Sequence, residues 1–361
     1  MKRINQMEPW VGEEEKRELI ACIDSGWITE AERTYKFEKM VADFVGSRYG
    51  LAANNGTVSL TIALMALGIG RDDEVIIPDM TMVATPNAVL LAGATPILVD
   101  IKRDNLCLDL EEVMKKISKK TKAIMPVAMN ARPPDMDGIE RISREYNLFI
   151  VEDSAQALGS YYKGKHLGTF GEIGSFSFST PKIITTGQGG VVVTDSKRLR
   201  DKMYRIKDFG RIDRKTQKHD TIGWNFKFSD IQAAVGIAQM KKLEKRIKWK
   251  RKMYRIYQEE LRDVEEIKML PTDLTQTTPW FVDIFVDNPK MLKEYLNSKQ
   301  IGTREFYPAI HSLKPYRGRG GFPVSTWASK HGLWLPSSLF LTKRDIKRVC
   351  KEIKNFFKKK K

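Results

Sequence analysis

The sequence predicts an α/β protein. A large domain is built on a mostly parallel sheet with helices on both faces, and a smaller α+β domain follows it. Three observations carry this reading. Over the first two-thirds of the chain, short apolar runs alternate with amphipathic ones at the spacing of strand–helix units. The apolar runs are continuous, which suits strands buried on both faces. The chain has 361 residues, 42% of them hydrophobic, enough for a large core and two domains.

Taken in order, Tyr49 to Ala53 reads as a strand and Thr57 to Leu67 as a helix. Glu74-Val75-Ile76-Ile77-Pro78 is a buried strand, and Ala84 to Leu91 is helical. Thr95 to Val99, Thr121 to Val127 and Leu148 to Val151 are further strands, separated by helices over Leu110 to Ile117 and Gly138 to Tyr146. From Gly174 to Thr194 the pattern changes to two extended runs, Ser175 to Ser179 and Val191 to Thr194, around a loop rich in threonine and glycine. A single long basic helix is expected from about Ser229 to Leu261. Trp280 to Val286 is strand-like, Pro289 to Ser298 is helical, and a last helix runs from about Lys343 to Phe357. A domain change is placed inside the long basic helix, giving a large domain over 1–245 and a small one over 246–361.

Composition excludes several classes. The net charge of +17 suggests a nucleic-acid binder. However, the basic residues are spread along the chain and mixed with acids, and the one dense run is the tail from Lys354 to Lys361. Such a surface would still attract an anionic small substrate. No apolar run reaches the ~18 residues of a membrane helix, and the N-terminus lacks the apolar stretch of a signal peptide, so a cytoplasmic location is expected. Cys22, Cys107 and Cys350 give neither a zinc spacing nor a disulfide framework. His166, His219, His311 and His331 share no metal-ligand spacing, so no metal is expected. Gly68-Ile69-Gly70 follows a helix, the wrong context for a dinucleotide fingerprint. Gly159 to Lys165 imitates a phosphate-binding P-loop, but His166 stands where a serine or threonine is required, and the segment reads as a hairpin tip. No nucleophile elbow is present.

The strongest constellation is Phe149-Ile150-Val151-Glu152-Asp153, a buried strand ending on a carboxylate, followed by Lys182 in Ser177-Phe178-Ser179-Thr180-Pro181-Lys182-Ile183. Ligands of open α/β sheets sit at the carboxyl ends of strands. A lysine among apolar strands and small hydroxyl residues loses solvation, and its lowered pKa makes a neutral amine available for Schiff-base formation. Pyridoxal 5'-phosphate needs such a lysine, and it needs an aspartate to keep its ring nitrogen protonated. It also needs backbone N–H groups at a helix start to hold its phosphate, as Asn54-Asn55-Gly56-Thr57 would supply. The residues alone leave open a structural aspartate and an ordinary lysine.

At these residues the chain resembles the sugar-nucleotide aminotransferases of the DegT/DnrJ/StrS type, closest to their perosamine-synthase branch. The resemblance runs from about Trp10 to the last helix. It rests on Gly26-Trp27-Ile28, Asn54 to Thr57, Gly93-Ala94-Thr95-Pro96, Val151 to Ala157, Lys182 to Gly187, Asn225 to Ala234 and Phe306 to His311. It implies a fold type I pyridoxal-phosphate transferase, like the aspartate aminotransferases, with a seven-stranded sheet. It further implies that Lys182 carries the cofactor and moves the proton, and that Asp153 pairs with the ring nitrogen. Gln156 would approach the ring hydroxyl, Met82 would take the ring-stacking position, and Gly56, Thr57 and Ser177 would bind the phosphate. Asn225 would reach that phosphate from the partner subunit of a homodimer with composite active sites. Trp27, Tyr307 and His311 would lie near the sugar nucleotide.

Lysine at position 182 favours transamination with glutamate as donor, and C4 of a nucleotide-linked 4-keto-6-deoxy sugar is the expected acceptor carbon. The rivals are a 3-aminotransferase on a 3-keto sugar and a non-catalytic regulatory protein that retains the fold. The sequence departs from the family pattern at several points. Met82 stands where an aromatic usually stacks, Ala128-Met129-Asn130-Ala131 replaces His-Leu-Tyr-Gly, Pro181 replaces asparagine, Gln188 replaces glutamate and Lys227 replaces arginine.

Overall fold

Asparagine, aspartate and serine caps start several of the helices. Asn55 accepts the Val58 N–H, Asp135 that of Gly138, Ser229 that of Gln232 and Asn288 that of Met291. In this computed structural model, which describes residues 2–213, 217–316 and 320–358, the helices are α1 (Glu13–Asp24), α2 (Glu32–Val45), α3 (Gly56–Ala66), α4 (Ala84–Leu91), α5 (Leu110–Lys116), α6 (Met136–Tyr146), α7 (Lys197–Lys207), α8 (Asp230–Met240), α9 (Leu243–Leu261), α10 (Pro289–Ser298), α11 (Pro323–His331) and α12 (Lys343–Lys358). The strands are β1 (Tyr49–Ala53), β2 (Glu74–Pro78), β3 (Thr95–Val99), β4 (Thr121–Ile124), β5 (Phe149–Asp153), β6 (Tyr161–Tyr162), β7 (Lys165–His166), β8 (Ile173–Ser177), β9 (Gly190–Thr194), β10 (Val282–Phe285), β11 (Arg304–Glu305) and β12 (Gly332–Leu335). The last three lysines of the basic tail, 359–361, lie outside the described residues.

Seven strands form the main sheet in the order β1-β9-β8-β5-β4-β2-β3. Only β9 runs against the others, so the expectation of a mostly parallel sheet holds. Its strands are continuous in apolar character, and β9 is buried throughout. The carboxyl ends of β2, β3 and β5 carry Asp79, Asp100 and Asp153, a row of buried carboxylates at the edge where α/β sheets bind ligands. Residues 159–166, the P-loop imitation, form the β6–β7 hairpin. Helices α1, α2, α7 and α11 and strands β11 and β12 complete the fold beyond the elements expected from sequence.

The expected single helix from Ser229 to Leu261 is two. Lys241 and Lys242 form a turn between α8 and α9. The physical reason is that the two halves serve different cores. Ala233 and Ile237 of α8 pack with Phe37 of α2, whereas Met253, Tyr254 and Tyr257 of α9 pack against the second sheet, β10-β12-β11. No glycine or proline marks the break. It is fixed by Lys242, whose amine pairs with Glu14 and Glu15 of α1.

The start of the chain docks beside the second sheet. Ile4 N donates to Gln300 O at 2.9 Å, Gly302 N donates to Ile4 O at 2.8 Å, and Arg348 of α12 donates to Lys2 O at 2.8 Å. The two sheets are fastened by a fully buried ion pair. Both guanidinium ends of Arg132, which follows β4, reach Asp283 of β10 at 2.7 Å, and the remaining donors meet Thr272 and Tyr254. Removing one partner strands the other charge in the core. Arg132→Ala is therefore expected to lower the unfolding free energy by ~3–5 kcal/mol, measured by urea denaturation. The paired replacement Arg132→Met with Asp283→Leu should recover most of the loss.

Candidate active site

Asp153 ends β5 with its carboxylate buried. The Thr85 hydroxyl of α4 donates to one oxygen at 2.8 Å, and the Ala155 N–H donates to the other at 3.2 Å. Burial pushes its pKa above the usual carboxylate range, and these two donors and the Lys182 charge oppose that. The position therefore favours a cationic partner.

Lys182 lies in the turn after β8, where its backbone N–H donates to Ser179 O at 3.0 Å. Its amine sits 4.4 Å from the centre of the Trp280 ring. Burial lowers its pKa from 10.5 to about 8; Asp153 pulls it up and Arg304 pushes it down. The amine and the carboxylate singled out from sequence are thus near enough to feel each other's charge. Tyr307 joins them. Its phenol is pushed up to about 12, mainly by burial, with Arg304 and Asp153 as opposed charges, and its ring meets Trp334 edge-on at 4.9 Å.

Gly56 opens α3, and Asn55 caps it through Val58, so the Gly56 and Thr57 N–H groups have no partner within the helix. A side chain at Gly56 would come within 3.1 Å of Ser177 Cβ and Oγ. Ser177 Oγ lies 3.3 Å from Ser179 Oγ. Two N–H groups that the helix leaves unpaired thus lie at a helix start beside the Ser177 hydroxyl, where a side chain at position 56 would crowd that serine; such a helix start suits a phosphate.

Gln156 is held elsewhere in the same layer: its carbonyl accepts the Asn130 N–H at 2.7 Å. Asn130 in turn exchanges two 2.8 Å bonds with the backbone of Phe281, from a left-handed conformation at φ 52°. Met82 stands just before α4, 42% exposed, with its sulfur 3.0 Å from the Ala84 N–H. His311 is fixed on Asp79 twice, through its backbone N–H at 2.8 Å and ring Nδ1 at 2.6 Å, and stacks on Phe322. Asn225 and Trp27 are not gathered into this cluster. Asn225 is exposed on an extended segment bridged to Asp208, and Trp27 is 66% exposed after α1.

Sequence reasoning missed Thr85, Asp79, Trp280 and Arg304. Asp79 was within reach, because it ends a parallel strand as Asp153 does. Thr85 and Trp280 carry no local signal, since the partners that make them matter lie 68 and 99 residues away. Arg304 sits on a two-residue strand too short to show periodicity.

A buried carboxylate, an amine of lowered pKa and a helix start beside a serine hydroxyl are the parts of an α/β enzyme of the group-transfer class. Residues 9–354 match the DegT/DnrJ/EryC1/StrS aminotransferase family, and the chain belongs to that family. Among its relatives are the GDP-perosamine synthases of Escherichia coli O157:H7, 36% identical over 99% of both chains, and of Vibrio cholerae, 35% identical over 97% of this chain and 98% of the relative. The crystal structure of DesI in the presence of its TDP-sugar product superposes with a TM-score of 0.91 at 28% identity, covering 98% of this chain and 93% of that one. The protein is an aminotransferase, its fold is that of the pyridoxal-phosphate-dependent sugar aminotransferases, and its cofactor is pyridoxal 5'-phosphate. The helix start and the Lys182–Asp153 pair fit that group.

Only the neutral amine reacts as a nucleophile. In the apoprotein, the labelling rate of Lys182 by an acylating reagent is therefore expected to rise with pH and reach half its maximum near 8, instead of near 10.5. Asp153→Asn removes the attraction that holds the proton on, so the midpoint should move lower still. Peptide mapping of the label across a pH series checks both.

Proposed function

We propose that the protein transfers an amino group from glutamate to C4 of a nucleotide-linked 4-keto-6-deoxy sugar, in the manner of a perosamine synthase. The observation that carries the reading is the half-buried Lys182 amine, of lowered pKa, beside the buried carboxylate of Asp153. The names of the relatives and the sugar-nucleotide product of DesI support the substrate class.

Bound pyridoxal phosphate supplies an electron sink that lets an amino group leave one carbon and join another. The residues have separate tasks. Lys182 attaches the cofactor and carries the proton between donor and acceptor carbons, which an amine titrating near 8 can do in both directions. Asp153, steadied by Thr85, offers its carboxylate to the ring nitrogen. Gly56, Thr57 and Ser177 hold the phosphate, Gln156 approaches the ring hydroxyl, and Met82 packs on the ring through its thioether. Tyr307, His311 and Trp27 contact the sugar nucleotide. The exposure of Asn225 supports its reaching the phosphate of a partner's site, in a homodimer with composite active sites. We place the enzyme in the cytoplasm. We divide the chain into domains at residues 245 and 246, supported by the separate apolar core that Met253 to Phe356 build around the second sheet, joined from the large domain by Ile4.

The test is amino transfer between glutamate and a panel of 4-keto and 3-keto sugar nucleotides. Turnover of 4-keto substrates alone supports the proposal. Turnover of 3-keto substrates alone replaces C4 with C3 chemistry, and a yellow protein that turns over none of them points to a regulatory role. Lys182→Ala should abolish both turnover and the visible absorbance that borohydride bleaches in the parent, while leaving the circular dichroism spectrum unchanged.

A further inference from the structure

Trp280 lies immediately before β10, outside the main sheet, yet it touches the lysine turn at two points. Its ring N–H donates to the carbonyl of Pro181 at 2.7 Å, and its face lies 4.4 Å from the Lys182 amine. Among the described residues that amine makes no hydrogen bond or ion pair, and the indole face is the contact it makes. The indole is itself locked. It is 2% exposed, stacked on Phe281 with centroids 3.9 Å apart, and met edge-on by Trp334 at 5.6 Å. The buried amine of Lys250 donates to the Trp280 carbonyl at 2.7 Å and to Ser337 O at 2.6 Å.

We propose that Trp280 is a positioning residue for Lys182: its indole face seats the free amine, and its ring N–H fixes the backbone from which that lysine extends. This rests on the reading of Lys182 as the cofactor-bearing amine. The chemistry explains why an aromatic face suits the position. A reactive lysine must be held while free and released when needed. A carboxylate as its direct seat would keep it charged and unreactive. A ring face attracts the ammonium through its quadrupole but forms no strong bond to the neutral amine. The charged and titratable groups around the seat are Asp153, Arg304 and Tyr307, with Lys250 behind the indole. Only the indole both meets the amine face-on and bonds to the preceding residue.

Fluorination weakens the face of an indole while keeping its shape and its N–H. Mono- to trifluorinated tryptophans placed at position 280 of the full-length apoprotein should lower the pH midpoint of Lys182 labelling stepwise. The whole series should span ~0.4 to 1.5 pH units. A purely structural role would leave the midpoint in place, and an unchanged or rising midpoint overturns the seat. Trp280→Phe keeps a ring and loses the N–H. It should bind pyridoxal phosphate ~2- to 10-fold more weakly, with the midpoint within a few tenths of a unit of the parent. Unchanged affinity overturns the backbone contact. Borohydride reduction of the parent holoprotein, followed by peptide mapping, tests the underlying reading separately. Label on a residue other than 182 would sink that reading whatever the fluorinated series shows.

Discussion

The chemistry of this protein depends on holding an amine and a carboxylate out of water without letting them neutralise each other. In bulk water Lys182 would stay protonated and Asp153 would be an ordinary solvated acid. At the carboxyl end of a parallel strand, both lose solvation and their proton affinities converge. The seven-stranded sheet provides the dry edge. Thr85 and the Ala155 N–H prevent the aspartate from becoming an uncompensated charge. Arg304 adds a second cation near the amine and pushes it further toward its reactive form. The main framework, from the caps of α3 to the buried row of Asp79, Asp100 and Asp153, places these few groups within reach of one another.

Much of this was legible in the sequence because it is local. Strands such as Glu74–Pro78 and Phe149–Asp153 announce themselves by unbroken apolar runs, and the helix over Ala84–Leu91 by its length and flanking turns. Asp153 was readable as the last residue of such a strand, and Gly56 as the start of a helix. What stayed hidden is long-range. The break between α8 and α9 has no sequence mark, because it arises from Lys242 reaching back to α1, more than two hundred residues earlier in the chain. The Arg132–Asp283 pair and the Asp79–His311 pair likewise join distant segments. Asn225 and Trp27 were legible as motif members, but in one chain their exposed side chains stay outside the cluster.

The departures from the family pattern find a physical setting. Asn130 stands within the segment that replaces His-Leu-Tyr-Gly, and its left-handed backbone lets one side chain satisfy both the N–H and the carbonyl of Phe281 while its own N–H holds Gln156. The substituted segment is therefore a hydrogen-bonded bridge from the main sheet to β10. Pro181, which has no N–H to donate, presents its carbonyl to Trp280. Lys227 pairs with Asp208 and lies over Phe209, so its single charge is already occupied within its own chain.

Residues 2 to 4 dock beside the last sheet, with Ile4 bonded on either side to Gln300 and Gly302 and Lys2 tied to α12. Segments far apart in sequence come to rest side by side, with Arg348 of α12 bonded to both Lys2 and Lys299. During synthesis, Ile4 must therefore wait until residues 300 to 302 have followed it out before it can dock.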